Sequence, residues 1–237
     1  MPIDRPRTSA DKHDRILDAA IDVFAEKGFH HARISDIAAK AEVADGTIYL
    51  YFRNKDDVLI TIFEEKMGML IAGLREALEG VDDPLERVRT FARYHFRQVK
   101  DHEALSEVLQ IELRLSNKFL KEYRPTRLWE YLNVFAIILR DGQDRGVIRP
   151  LDAFSSMWAF FGALDEIAMQ WVLANKERKR RFSLDASAEA VADIFVRGIA
   201  VNPSAVPVSA LGPVAGEHPP DSPPSSFSLS TSTQELP

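Results

Sequence analysis

The residues best suited to chemistry lie close together near the N-terminus. Asp45-Gly46-Thr47 is followed by Tyr49, Tyr51 and Lys55. Glycine has no Cβ to hold a backbone away from a phosphate, and the first-turn N–H groups of a helix attract anions. Threonine and tyrosine hydroxyls bond phosphate oxygens or base edges, and a lysine beside them adds a cation. This set of groups recognises an anion and catalyses nothing. The enzyme signatures are missing: no two glycines have G-x-G spacing, and neither H-E-x-x-H nor G-x-S-x-G occurs. Cysteine is absent, which excludes disulfides, thiolate metal sites and cysteine nucleophiles. Of six histidines, His30 and His31 are adjacent, and His95 and His102 are loosely near each other, beside Asp101 and Glu103. His95 sits on an apolar helix face, as a core histidine does, so no catalytic group, metal or cofactor is expected.

The elements that position these residues follow from hydrophobic periodicity, which is helical between residues 11 and 201 with no convincing strand. Ile16, Ala19, Ala20, Val23 and Phe24 mark a helix over Asp14–Glu26, closed by Gly28. Ile34–Ala41 and Thr47–Phe52 are two short helices around the turn Glu42-Val43-Ala44, with Ile37, Ala38, Val43 and Ile48 as a small core. That is a helix-turn-helix. A longer helix runs from Asn54 to Leu78. Asp83-Pro84-Leu85-Glu86 combines an N-cap acid, a first-turn proline and a capping-box glutamate, and starts the next. Further helices are predicted over 104–115, 126–145 (ending at Gly146), 152–175 (capped by Asp152) and 184–200. The fold expected is all-α with about nine helices: an N-terminal three-helix unit carrying the helix-turn-helix and a larger C-terminal helical bundle.

The boundaries come from composition. Residues 1–11 read as a flexible arm, 12–57 as the helix-turn-helix domain and 58–201 as the larger bundle. Residues 202–237 carry 8 of the 13 prolines and no lysine or arginine, and read as a disordered tail. The formal charge is −6, from 30 basic and 36 acidic residues, yet Lys27–Lys55 holds five cations against three acids. Affinity built on so few phosphate contacts implies a dimer using two copies. Met1–Arg15 is polar without an apolar signal core, and the charge-free run Ala153–Leu164 spans 12 residues where a membrane helix needs about 20. The expectation is a cytoplasmic protein with no membrane partner.

The blocks Phe24-Ala25-Glu26-Lys27-Gly28-Phe29, Asp36-Ile37-Ala38 and Val43-Ala44-Asp45-Gly46-Thr47-Ile48-Tyr49-Leu50-Tyr51-Phe52-Arg53-Asn54-Lys55 resemble the DNA-binding domain of the TetR family of repressors. The resemblance implies that Asp45, Gly46, Thr47, Tyr49, Tyr51 and Lys55 face double-stranded DNA at a palindromic operator. The family often has threonine followed by threonine or serine just before the second helix, where this chain has Ala32 and Arg33; Arg33 then replaces a hydroxyl contact with a phosphate salt link. Ala44 stands where a capping serine is frequent, and alanine cannot cap.

Gln110-Ile111-Glu112-Leu113-Arg114-Leu115-Ser116-Asn117 and Phe161-Gly162-Ala163-Leu164-Asp165-Glu166…Trp171-Val172 resemble the FadR-type branch, acyl-CoA-responsive repressors of fatty-acid degradation. The resemblance implies a long-chain acyl-CoA effector. An acyl chain needs a narrow apolar tunnel between helices, for which Phe91, Leu105, Leu109, Leu113, Leu132, Phe135, Phe160, Phe161, Leu164 and Met169 are candidates. Each taken singly is ordinary core; only the set points to a lipid. Arg114, Arg127 and the cluster Lys176, Arg178, Lys179, Arg180 and Arg181 are candidates for the CoA phosphates. Asp165 and Glu166 interrupt the most apolar helix, and Arg114 is the expected partner of Asp165; Glu112 and Asn117 are weaker candidates. That helix is apolar nearly all round, so it and 184–200 are expected to form the homodimer interface. Two alternatives stay open: a different hydrophobic effector on the same regulator, or a helical lipid-binding protein or enzyme without DNA function.

Overall fold

The computed structural model describes residues 9–113, 123–124 and 126–206. Ten α-helices appear among them, and the one β contact is an isolated bridge between Ile148 and Ala200. Helices α1 (Ser9–Lys27), α2 (Ile34–Lys40) and α3 (Asp45–Tyr51) make the N-terminal unit. Ile16, Phe24, Ile37, Ala38, Ile48 and Phe52 are buried together there. Gly28 ends α1 at φ 75°, a backbone state that glycine reaches without a Cβ penalty.

The bundle comprises α4 (Lys55–Leu78), α5 (Pro84–Asp101), α6 (Glu103–Glu107), α7 (Thr126–Asp144), α8 (Ala153–Val172), α9 (Lys176–Arg181) and α10 (Leu184–Ile199). Its axis is α5, which packs against α4, α6, α7, α8 and α10. Asp83 caps α5 by accepting from the N–H of Leu85, with Pro84 in the first turn, and Asp152 caps α8 by accepting from Ser155 at 2.8 Å. One stripe of α5 (Val88, Phe91, Ala92, His95, Phe96 and Val99) is buried. No helix of the described residues is long and apolar enough to cross a membrane.

Four boundaries differ from the sequence expectation. Helix α1 begins at Ser9, inside the expected arm. The helix expected over 104–115 is α6 followed by a π-helical turn over Val108–Glu112; π-turns occur chiefly at functional sites. The cation cluster is itself a helix, α9, because the Asn175 side chain accepts from the N–H of Arg178 at 2.9 Å and Lys179 folds over the Trp171 ring at 4.4 Å. The chain stays ordered past 201: Pro203–Ala205 form a 3-10 turn and Val206 is buried against the core. Residues 1–8 and 207–237 lie outside the described residues.

Candidate functional site: a DNA-reading unit joined to a lipid-sized cavity

The turn between α2 and α3 is tight. Glu42 holds φ 54°, and the N–H of Val43 reaches the carbonyl of Ala38 at 3.0 Å. Ala44 precedes α3 and makes no side-chain cap, as its type dictates. Asp45, Gly46 and Tyr49 are exposed, Tyr49 at 58%, and Thr47 is half-buried. A Cβ built on Gly46 would meet nothing within 4 Å. Nothing among the described residues therefore requires glycine at this position.

Two expected contact residues are placed otherwise. Tyr51 is half-buried with its ring 5.9 Å from that of His13, so it braces α3 on α1 and does not project. Lys55 spends its ammonium on three carbonyls of the α1–α2 loop, those of Phe29, His30 and Ala32, and lies 4.6 Å over the Phe29 ring. An ammonium has three donors, so Lys55 is a clamp on that loop; burial pushes its pKa down. Other cations of the segment are also engaged. Lys27 pairs with Asp36 at 2.8 Å, and Lys40 with Glu26 at 2.8 Å and Asp22 at 3.2 Å. Lys27 holds the Asp36 carboxyl below its ordinary pKa. The exposed guanidiniums of Arg33 and Arg53 form no ion pair among the described residues. Arg53 was passed over in the sequence because it reads as filler between Phe52 and the cap Asn54.

The bundle contains a cavity of about 670 Å³, within the usual range for a small-molecule site. Leu105, Leu109, Leu113, Phe161 and Asp165 line it as expected. Phe91, Leu132, Phe135, Phe160 and Leu164 do not: their side chains are core, with Phe135 stacked on Phe160 at 4.2 Å and Phe91 edge-on to Phe160 at 5.4 Å. These rings fill the α5–α7–α8–α10 junction with one another and leave no room for a chain. Met169 is half-buried and also lies outside the cavity wall. Arg127 faces a separate groove by Gly68, bonded to Glu130 at 2.8 Å and Glu64 at 3.3 Å. Arg114 and Asn117 lie outside the described residues, so the expected Arg114–Asp165 link does too.

Sequence reading missed the α1 and α4 side of the cavity: Asp18, Ile21, Asp22, Phe63, Lys66, Met67 and Leu70. The α4 stripe serves core and cavity alike, and periodicity cannot separate the two. It also missed His95, Gln110 and Tyr131 as lining residues. His95 is buried and its Nδ1 lies 2.8 Å from the Tyr131 hydroxyl; burial lowers its pKa to about 4. Burial raises the Tyr131 phenol well above its ordinary value.

Two features join the halves. Glu112, at the end of the π-turn and buried, accepts from the N–H of Phe29 at 2.5 Å, and its oxygens lie 3.7 and 3.8 Å from where a Cβ on Gly28 would be. The same π-turn carries Leu109 and Gln110 into the cavity wall. Glu103, a lining residue, pairs with Lys179 of α9; Lys176, Arg178 and Arg180 of that helix are exposed, and exposed Arg181 pairs with Glu177 at 3.5 Å.

Comparison with known proteins accords with this arrangement. Residues 16–62 match the family described as bacterial regulatory proteins, tetR family, and residues 63–198 the YsiA-like protein C-terminal region. A fatty acid metabolism regulator protein of Bacillus subtilis is 38% identical over 189 residues, covering 79% of this chain and 95% of the relative. The structure of the fatty acid degradation regulator FadR from Bacillus halodurans superposes with TM-score 0.72 at 37% identity, over 81% of this chain and 97% of that one. FadR from Bacillus subtilis in complex with stearoyl-CoA gives TM-score 0.72 at 37% identity, over 79% and 99%. The chain belongs to the tetR family of bacterial regulatory proteins, DNA-binding transcriptional regulators and not enzymes.

Proposed function

We propose that the protein is a cytoplasmic, one-component repressor of fatty-acid degradation genes, released from its operator by a long-chain acyl-CoA. The observation that carries this reading is the cavity: apolar on its inner wall, flanked by the basic helix α9, and backed by the π-turn that Glu112 ties to the DNA-reading unit. The acyl chain lies against Leu105, Leu109, Leu113 and Phe161, and the CoA phosphates meet Lys176, Arg178, Arg180 and Arg181. The likeness to a structure holding stearoyl-CoA supports the same assignment.

Arg33, Asp45, Gly46, Thr47 and Tyr49 face DNA, joined by Arg53, while Tyr51 and Lys55 hold the surface in shape. Residues 12–57 act as the reading domain and 58–201 as the sensing and pairing domain. The protein works as a homodimer through α8 and α10, which expose Phe154 at 60% and Ile194 at 68%. Two copies place two α3 helices in successive major grooves. An effector that expands the cavity moves the π-turn against α1, and DNA affinity falls by the difference in its affinity for the two arrangements.

The test is a gel-shift titration of an operator complex with stearoyl-CoA. Release at micromolar effector is expected; an intact complex at saturating thioester overturns the reading. One observation favours a second effector class. Five carboxylates, Asp18, Asp22, Asp101, Glu103 and Asp165, line the cavity; three are paired with Lys66, Lys40 and Lys179, and the net acidity suits an uncharged or cationic hydrophobic molecule. Release by a long-chain alcohol or amine, with no response to the CoA thioester, would select it.

A further inference from the structure

Two side chains in the cavity wall are out of keeping with a plain hydrocarbon ligand. His95 and Gln110 line the cavity and are 7% and 8% exposed. Among the described residues His95 Nε2 and Gln110 Oε1 have no hydrogen-bond partner. Buried polar atoms in folded proteins are almost all paired, and an unpaired one disfavours the fold.

His95 Nδ1 and the Tyr131 hydroxyl share a hydrogen bond at 2.8 Å, and a hydroxyl both donates and accepts. When Tyr131 donates, the neutral imidazole carries its proton on Nε2; when Nδ1 donates, Nε2 is an acceptor. The wall thus presents a hydrogen-bonding nitrogen at His95 and an acceptor at Gln110. An alkyl chain satisfies neither. A hydroxyl pairs with Nε2 in either state of the imidazole, and where Nε2 is the donor its own proton goes to Gln110 Oε1.

We propose that the effector carries a hydroxyl group on its chain, bound by His95 and Gln110. Depth separates this group from the headgroup. At the rim the side chains of Asp18, Asp22 and Glu103 are 66%, 50% and 54% exposed, whereas the two orphaned groups sit in the buried wall. A headgroup stays at the rim, so an oxygen at that depth belongs to the chain. The inference rests on the cavity's being the effector site and refines the ligand from a hydrocarbon chain to a hydroxylated one.

Calorimetric titration of the full-length protein tests it. The probes are long saturated chains, unsubstituted or hydroxylated beside the carbonyl, in mid-chain or near the methyl end, each as the CoA thioester and as the free acid. One hydroxyl position should bind at least about tenfold more tightly than the unsubstituted chain, a modest figure for a site whose polar groups go unpaired without it. In Gln110→Met that advantage should shrink to within about threefold, with the unsubstituted chain binding at least as tightly as to the wild type, because the unpaired acceptor is gone. His95→Phe should act likewise; should it fail to fold, Gln110→Met carries the test alone. Equal affinity for every chain in the wild type overturns the proposal, as does a hydroxyl preference that survives in Gln110→Met. A preference among the free acids, with no binding of thioesters, upholds the hydroxyl assignment and removes CoA from the proposed function. Failure of every chain in both forms removes both.

Discussion

Replacing Glu112 with alanine should uncouple the cavity from the DNA-reading unit. The Glu112 carboxylate accepts from the Phe29 N–H at 2.5 Å, and the residue is 7% exposed. A hydrogen bond to a charged group is worth about 1.5–3 kcal/mol net, and an orphaned buried donor costs about 1–3 kcal/mol. Both figures describe one lost contact, so the expected destabilisation of Glu112→Ala is about 2–3 kcal/mol. Glu112→Gln keeps a neutral acceptor and should lose roughly half of that.

The functional consequence is separate from stability. Phe29 begins the loop that Lys55 clamps, and that loop leads into α2. With the carboxylate gone, movement of the π-turn no longer pulls on the loop. Operator affinity without effector should change little, while the effector's weakening of DNA binding should fall from the usual 5–150-fold, about 1–3 kcal/mol, towards none. Urea denaturation gives the first quantity, and gel shifts with and without stearoyl-CoA give the second. An alanine variant with wild-type stability and full effector response would refute the latch.

Gly46→Ala should leave stability unchanged or raise it by up to about 1 kcal/mol, because alanine is the better helix former and its Cβ meets nothing within 4 Å, yet operator affinity should drop. A variant that binds DNA normally by fluorescence anisotropy would remove Gly46 from the interface. Lys55→Met should cost about 1–3 kcal/mol in a thermal or urea unfolding assay, since the Phe29, His30 and Ala32 carbonyls lose their donor; a loss of DNA affinity with full stability would restore its phosphate role. His95, with a folded pKa of about 4 against 6.5, binds fewer protons folded than unfolded across that window. Stability it contributes is present above pH 6.5 and lost as pH falls towards 4, by about 3 kcal/mol in all. His95→Gln should flatten that part of the wild-type stability curve, and an unchanged slope would count against a buried neutral imidazole. Finally, two copies of Arg33 and Arg53 in the proposed homodimer would offer four guanidiniums to phosphate, so log affinity against log salt should have a slope of about −4. A slope near −9 would mean that Lys27, Lys40 and Lys55 leave their partners to bind phosphate.

The DNA-reading unit was legible because its signals are local. The helix-closing Gly28, a missing serine cap at Ala44 and a small core of Ile37, Ala38 and Ile48 all follow from residue type and short spacing, whereas the left-handed Glu42 does not. The caps Asp83 and Asp152 were legible for the same reason. The cavity was only half legible. Its π-turn side was found through Leu105, Leu109 and Leu113, but Phe63, Met67 and Leu70 lie on a stripe that also builds the core. Apolar periodicity reports burial and cannot say whether a side chain meets protein or a hole. Hence Phe91, Phe135 and Leu164, the more emphatic apolar residues, proved to be core, while polar His95 and Gln110 proved to be wall. Helix α9 was not read as a helix because its charge run looks like a solvated face: its one local signal is the cap Asn175, and the contact that ties it down most remotely is with Glu103.

The charges carry the same lesson into function. The segment Lys27–Lys55 holds two more cations than acids, which resembles a faint basic patch. In the folded chain Lys27, Lys40 and Lys55 are already engaged, each fastening one piece of the α1–α3 unit to another. They hold α2 and α3 in position, and Arg33 and Arg53 are the cations of the segment left without an ion pair among the described residues. A regulator built this way binds its operator through a few groups whose placement depends on internal clamps. A small strain on one clamp then misplaces several contacts together. Glu112 is bonded to Phe29, on the loop Lys55 clamps, where such a strain would enter. Weak electrostatic grip and effector control thus have a common origin: the same loop that sets the DNA contacts is the one the cavity wall holds.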